Sequence, residues 1–135
     1  MAAVGGDITE VKFNHPTVGT GQFFAIANQG NTIDTGGIRT ADDAASIDSS
    51  GEPVWMMNRV RAHFEILISN DMNNREDILK LVQLASSPVE ADWTVSHING
   101  SVWTGKGKPV GDIAPDLNAA TVTLKVAAGS FKKIL

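Results

Sequence analysis

VWMMNRVRAHFEILIS, residues 54–69, is the stretch on which the reading of this chain turns. Val60, Ala62, Phe64, Ile66 and Ile68 alternate with Arg59, Arg61, His63, Glu65, Leu67 and Ser69. A helix would bring apolar residues back every three or four positions, so a period of two held this long predicts one long, half-buried strand. Asn70-Asp71 ends it.

On the C-terminal side the periodicity changes. Residues 73–86 place Ile78, Leu81, Val82 and Ala85 at helical spacing. Asn73 is positioned to cap that helix, with Glu76 as the return half of a capping box and Glu76-Asp77 favourably placed in the first turn. Ser86-Ser87-Pro88 stops it. Ala91–Thr104 then reads as a hairpin around Asn99-Gly100, a dipeptide suited to a two-residue type I′ turn. That register pairs His97 with Val102 and Ser96 with Trp103, which sends Trp93 and Trp103 to opposite faces. A sheet with bulky apolar groups on both faces must cover both, and a single helix covers only part of one. A lone copy is therefore expected to leave apolar sheet surface wet. Residues 105–118 (GKGKPVGDIAPDLN) read as a punctuated connection, residues 119–127 return to alternation, and FKKIL is a candidate last edge strand.

On the N-terminal side, DITEVKFN (residues 7–14) reads as a strand with Val11 and Phe13 on one face, stopped by His15-Pro16. A short strand at Phe23–Ala27, a turn at Gln29-Gly30-Asn31 and an extended Thr32-Ile33-Asp34 closed by Gly36-Gly37 follow. Residues 39–53 (RTADDAASIDSSGEP) lack any period and are acidic. A loop of that length is usually functional or mobile, and Ile47 is its one medium-to-large aliphatic residue. The sum is one domain over residues 1–135, mainly β with one α-helix, a β-sandwich or partial barrel.

Composition narrows the function. The chain has no cysteine, which excludes a disulfide framework, thiolate metal sites and a cysteine nucleophile. The net charge of −4 argues against tight nucleic-acid binding. It is uneven: seven acids and two bases lie in residues 1–52, against eight and nine in residues 53–135. Scattered charge of this kind usually means solvated acidic loops; the asymmetry also permits an acidic segment of one copy to meet a more basic surface of another. No apolar run is long enough to span a bilayer, and the first residues carry no secretory-signal pattern.

No catalytic constellation emerges. GSVWTGKG (residues 100–107) approaches a phosphate-binding loop, but Gly107 stands where a hydroxyl is needed and no helix follows, so its glycines are assigned to turns. His15, His63 and His97 lack metal spacing. Asp42, Asp43 and Asp48 lack the calcium-loop rhythm. Arg59 and Arg61 share a strand face with Glu65, which weakens any nucleic-acid reading. No cofactor is expected. The residues offered for contact between copies are Arg39, Asp42, Asp43, Ile47, Asp48 and Glu52 in the acidic stretch, with Arg59 and Arg61 beside it. The alternative is a monomeric β-sandwich binding a small ligand or carbohydrate in a pocket lined by Trp55, Trp93 and Trp103. A hydrolase built on Asp42, Asp43 or Asp92 ranks last.

Several segments together resemble the tail tube proteins of contractile-tailed bacteriophages. They are EVKFNHPTVGTGQF, IRTADDAASIDSSGEPVWMMNRVRAHFE, REDILKLVQLASSP, DWTVSHINGSVWTGKGKPVGDI and ATVTLKVAAG. The most specific are MNRVR, ADWTVSHING and GKGKPVGD. The resemblance implies a β-sandwich-like subunit with a flanking helix, as in the type VI secretion tube protein. It implies a non-enzymatic virion protein, six copies of which close an inner β-barrel. Those rings stack head to tail into a conduit for DNA ejection. The implied partners are other copies, the sheath, baseplate and tail-terminator proteins at the ends, and DNA in transient, non-specific passage. Assembly would take place in the bacterial cytoplasm. Residues 39–53 would be the loop that reaches a neighbour.

Overall fold

The computed structural model describes residues 3–41, 46–73 and 76–135. The fold is mainly β with one helix, consistent with a β-sandwich. Strands β1 (Ile8–His15), β2 (Gly19–Phe23), β3 (Thr32–Asp34), β8 (Ala62–Ser69), β9 (Ala91–His97), β10 (Val102–Pro109) and β11 (Thr121–Ala128) form the main sheet in the order β2-β1-β9-β10-β11-β8-β3. β12 (Lys132–Lys133) joins it by pairing with β10, as the FKKIL reading anticipates. The sheet curls so strongly that its far members approach each other at one bridge, Ala25 to Ile68, without forming a closed barrel.

Alternation makes the core. Val11 and Phe13 from β1, Phe64, Ile66 and Ile68 from β8, Trp93 and Val95 from β9, and Val122, Leu124 and Val126 from β11 all turn into one buried cluster. Trp93 lies at its centre, 5.8 Å from Phe13 and 5.9 Å from Phe64 between ring centroids, and donates its indole N–H to the Gly107 carbonyl at 3.0 Å. The helix α1 (Glu76–Ser86) adds Leu81 and Leu84. Its inner face is thus rotated from the expected one, since Val82 faces outward and Leu84 takes its place. The proposed Asn73 cap involves residues 74 and 75, which lie outside the described residues.

Three expectations are corrected. The β9–β10 turn holds three residues, because Val102 pairs with Ser96 and Trp103 with Val95. Gly100 alone takes positive φ (93°), and the Asn99 side-chain Oδ1 accepts the Ser101 N–H at 2.9 Å. This is a three-residue hairpin with a glycine in the left-handed position. A slip of one residue exchanges faces, so Trp103 shares the inner face with Trp93 and Val95. The outer face of the central strands carries Lys12, Asp92, Thr94, Lys106, Thr123, Lys125 and Glu65, with Leu67 and Ala127 half-buried among them. The curled sheet therefore leaves no broad apolar face wet.

Gly105 and Gly107, assigned above to turns, lie inside β10. A Cβ on Gly105 would sit 2.5 Å from the Phe131 ring, and one on Gly107 would sit 2.2 Å from the Ala127 carbonyl oxygen. They are glycines because the neighbouring strand segments come that close, and the phosphate-loop likeness has no structural counterpart.

The third correction concerns the opening stretch. Residues 54–69 do not form one strand. β8 belongs to the main sheet, whereas β7 (Met57–Val60) pairs with β4 (Gly37–Thr40) outside it, with the break at Arg61. Asp34 pairs with His63 and Gly37 with Val60 at the same offset, so the ladder that ends in the core resumes beyond it.

Candidate assembly interface

The described parts of the acidic aperiodic stretch, residues 39–41 and 46–53, belong to a projecting two-stranded arm. β4 pairs with β7, the Ala41 N–H donates to the Met56 carbonyl at 2.8 Å, and β5 (Ser46–Ile47) pairs with β6 (Pro53–Val54). The tip is a compact turn. One Asp48 carboxylate oxygen accepts the Ser50 N–H at 2.9 Å, the Ser50 hydroxyl at 2.6 Å and the Glu52 N–H at 3.1 Å. These bonds, the Ser50 hydroxyl first, hold the Asp48 carboxyl below its ordinary pKa. Asp48 thus has a structural use within the tip.

The root is equally defined. Gly36 has φ of 75° and Gly37 of 116°. A Cβ on Gly36 would lie 2.8 Å from the Ala62 nitrogen, so no other residue fits where the arm leaves the body. Arg39 in β4 forms a bidentate ion pair with Asp34 in β3, and the Gly36 N–H donates to Asp34 at 2.9 Å. The guanidinium and then that N–H hold the Asp34 carboxyl far below the usual carboxylate range, and Arg39 is shifted upward in return. Arg39 therefore clasps the arm to the body.

Of the other residues singled out, Ile47, Asp48 and Glu52 gather at the tip and Arg59 lies across from Ile38 near the root. Arg61 sits at the break and is exposed. Arg59 lies in the arm and Glu65 in the body, and the alternation runs on through Arg61 between them, so all three keep the outward phase. Asp42 and Asp43 lie outside the described residues.

The side chains that the sequence reading missed are apolar: Ile38, Val54, Met56 and Met57 are exposed along the arm. They join Ile47, offered above for contact and 70 % exposed, and Trp55, offered above for a pocket and 68 % exposed. Alternate residues of a strand point to opposite faces, and this ribbon has no second layer, so both faces are wet. The visible signal was the unpunctuated apolar run Val54-Trp55-Met56-Met57. Isolated two-stranded hairpins are marginal in water. Burying six such side chains yields roughly 10 kcal/mol in all. Association costs about 4–15 kcal/mol, so that gain is of the same order as the cost of a single contact.

Chemistry finds less support. His15 is buried, with its Nδ1 accepting the Thr17 and Val18 N–H groups at 3.0 and 3.1 Å and its Nε2 3.0 Å from the Val89 carbonyl. It ties the end of β1 to the chain after α1. Among the described residues, no three His, Asp or Glu side chains group as metal ligands, and no helix is long and apolar enough to cross a membrane. The three tryptophans do not converge: Trp55 is on the arm, Trp93 is fully buried, and Trp103 borders a pocket of about 300 Å³ with Ile8, Ile66 and His97. Compared with protein-family models and with curated proteins, the chain matches none.

Proposed function

We propose that this protein is a structural subunit that polymerises into the inner tail tube of a contractile phage tail or a related injection particle. Six copies close a ring whose sheets make one inner β-barrel, and rings stack head to tail. The sheath lies outside, baseplate and terminator proteins bound the two ends, and DNA passes through without being held. The protein performs no catalysis. Its place is the virion tail, after assembly in the host cytoplasm.

The observation that carries this reading is the arm: a clasped ribbon, apolar on both faces, projecting from a body that already buries its own core. Contacts that join unlike surfaces of successive copies give unlimited stacks unless the rotation closes. A net charge of −4 also suits a channel that repels phosphate instead of retaining it. Removing residues 41–50 is expected to abolish polymerisation and spare the circular dichroism spectrum of the body. The check is negative-stain microscopy alongside sedimentation. Tubes of unchanged length from the shortened protein, or a wild-type protein that stays monomeric at every concentration, contradict the proposal.

A further inference from the structure

β11 ends at Ala128 and β12 starts at Lys132, and residues 129–131 link them along the side of β10 without ladder pairing, with Ser130 and Phe131 close against Gly105. Beside this link the surface carries a notch lined by Thr104, Lys106, Ser130 and Lys132, with Glu90 at its border. Lys106 and Lys132 are exposed, and among the described residues neither has a carboxylate within ion-pair distance. Lys133, by contrast, lies 5.6 Å over the Trp103 ring. Beyond the notch β12 pairs only with β10 among the described strands, and exposed Ile134 and Leu135 continue it. The region is basic, then apolar, with an open strand edge.

The arm tip has the complementary character. Asp48 and Glu52 are exposed acids, and among the described residues no side-chain partner pairs the Glu52 carboxylate. Ile47 and Val54 flank them. A tip of this kind cannot serve the notch of its own chain. The Phe131 N–H donates to the Thr35 carbonyl at 3.3 Å, which sets the notch beside the arm root, and residues 53–60 of the return strand carry the tip roughly 20 Å from that root.

We propose that the notch between β11 and β12 receives the arm tip, Ile47–Val54, of a second copy of this chain. Lys106 and Lys132 meet Glu52 and Asp48, Ile134 and Leu135 cover the tip's apolar residues, and the free edge of β12 is available for strand addition. This rests on the tube-subunit reading and names the surface that the arm engages.

Because the chain has no cysteine, disulfide trapping is clean. Glu52→Cys protein is mixed with Lys132→Cys protein, assembled and oxidised. A disulfide requires Cα atoms within roughly 7 Å, so the mixed dimer should form and exceed either homodimer. In parallel, Lys132→Glu should lower assembly at least tenfold, and combining it with Glu52→Lys in one chain should restore most of it. Tubes that form without the mixed disulfide, or a double reversal that restores nothing, overturn the notch and leave the tube reading intact. Failure of the wild-type protein to assemble at all overturns both.

Discussion

β7 and β8 are consecutive pieces of one extended backbone, and different forces hold them. β8 has a neighbour on each side, β11 and β3, and it alternates strictly between buried and outward-facing residues. Among the described residues β7 pairs only with β4, and of its own residues only Val60, next to the body, is not exposed. The body is stabilised by removing apolar surface from water, which scales with buried area. The arm relies on ladder hydrogen bonds, the Asp34–Arg39 clasp and the Asp48 turn, each worth little in water. The comparison teaches that the same chain buries its apolar side chains in the body and exposes them in the arm, which is where the proposed association would draw its energy.

The two exposed-versus-buried tryptophans test this division most severely. Trp93→Ala should lose about 3–5 kcal/mol of stability, read as a lower denaturant midpoint, since it empties the centre of the core and orphans the Gly107 carbonyl. If the loss is below 1 kcal/mol, the body does not depend on its core as described. Next comes Gly36→Ala, which forces a Cβ against the Ala62 nitrogen at positive φ. A cost of about 1–3 kcal/mol is expected, seen as faster amide exchange through β4 and β7 with β8, β9 and β11 still protected. Equal loosening of body and arm would erase the boundary drawn at that glycine.

Trp55→Ala sharpens the contrast from the other side. Folding stability should stay within about 0.5 kcal/mol of the parent, while polymerisation drops sharply by light scattering. The smallest effect belongs to the clasp. Because the Asp34 carboxyl is held low in the folded state, its contribution is present above the ordinary carboxylate pKa of about 4 and fades only as pH falls further. Exchange at the arm root should therefore be flat with pH from 7 to about 4, once corrected for the intrinsic rate. Asp34→Asn should speed it at neutral pH. A clasp variant indistinguishable from the parent removes Arg39 from its role.

Legibility from sequence follows the same boundary. β1, β8, β9 and β11 were readable because each has one dry face, and a dry face writes itself as alternation. Residues 39–53 looked structureless because a ribbon wet on both sides places no constraint on which positions are apolar. Two errors have narrower causes. Asn99-Gly100 fits a two-residue and a three-residue turn alike, and the Ser101 N–H to Asn99 bond that accompanies the longer one is invisible in a string of letters. On α1, Leu84 and Val82 both suit an apolar stripe, and which of them is buried is decided by tertiary packing that periodicity does not encode. Glycines 105 and 107 looked like punctuation because close strand approach and turning draw on the same residue.

The chain enters the arm at Gly36 and leaves it at Ala62, two residues in contact. Whatever lies between them can be lengthened, shortened or exchanged without rethreading the main sheet. On the assembly proposed above, the arm is a detachable key: tips can diverge between versions of the protein until each recognises only its own kind, while the body that carries them stays the same.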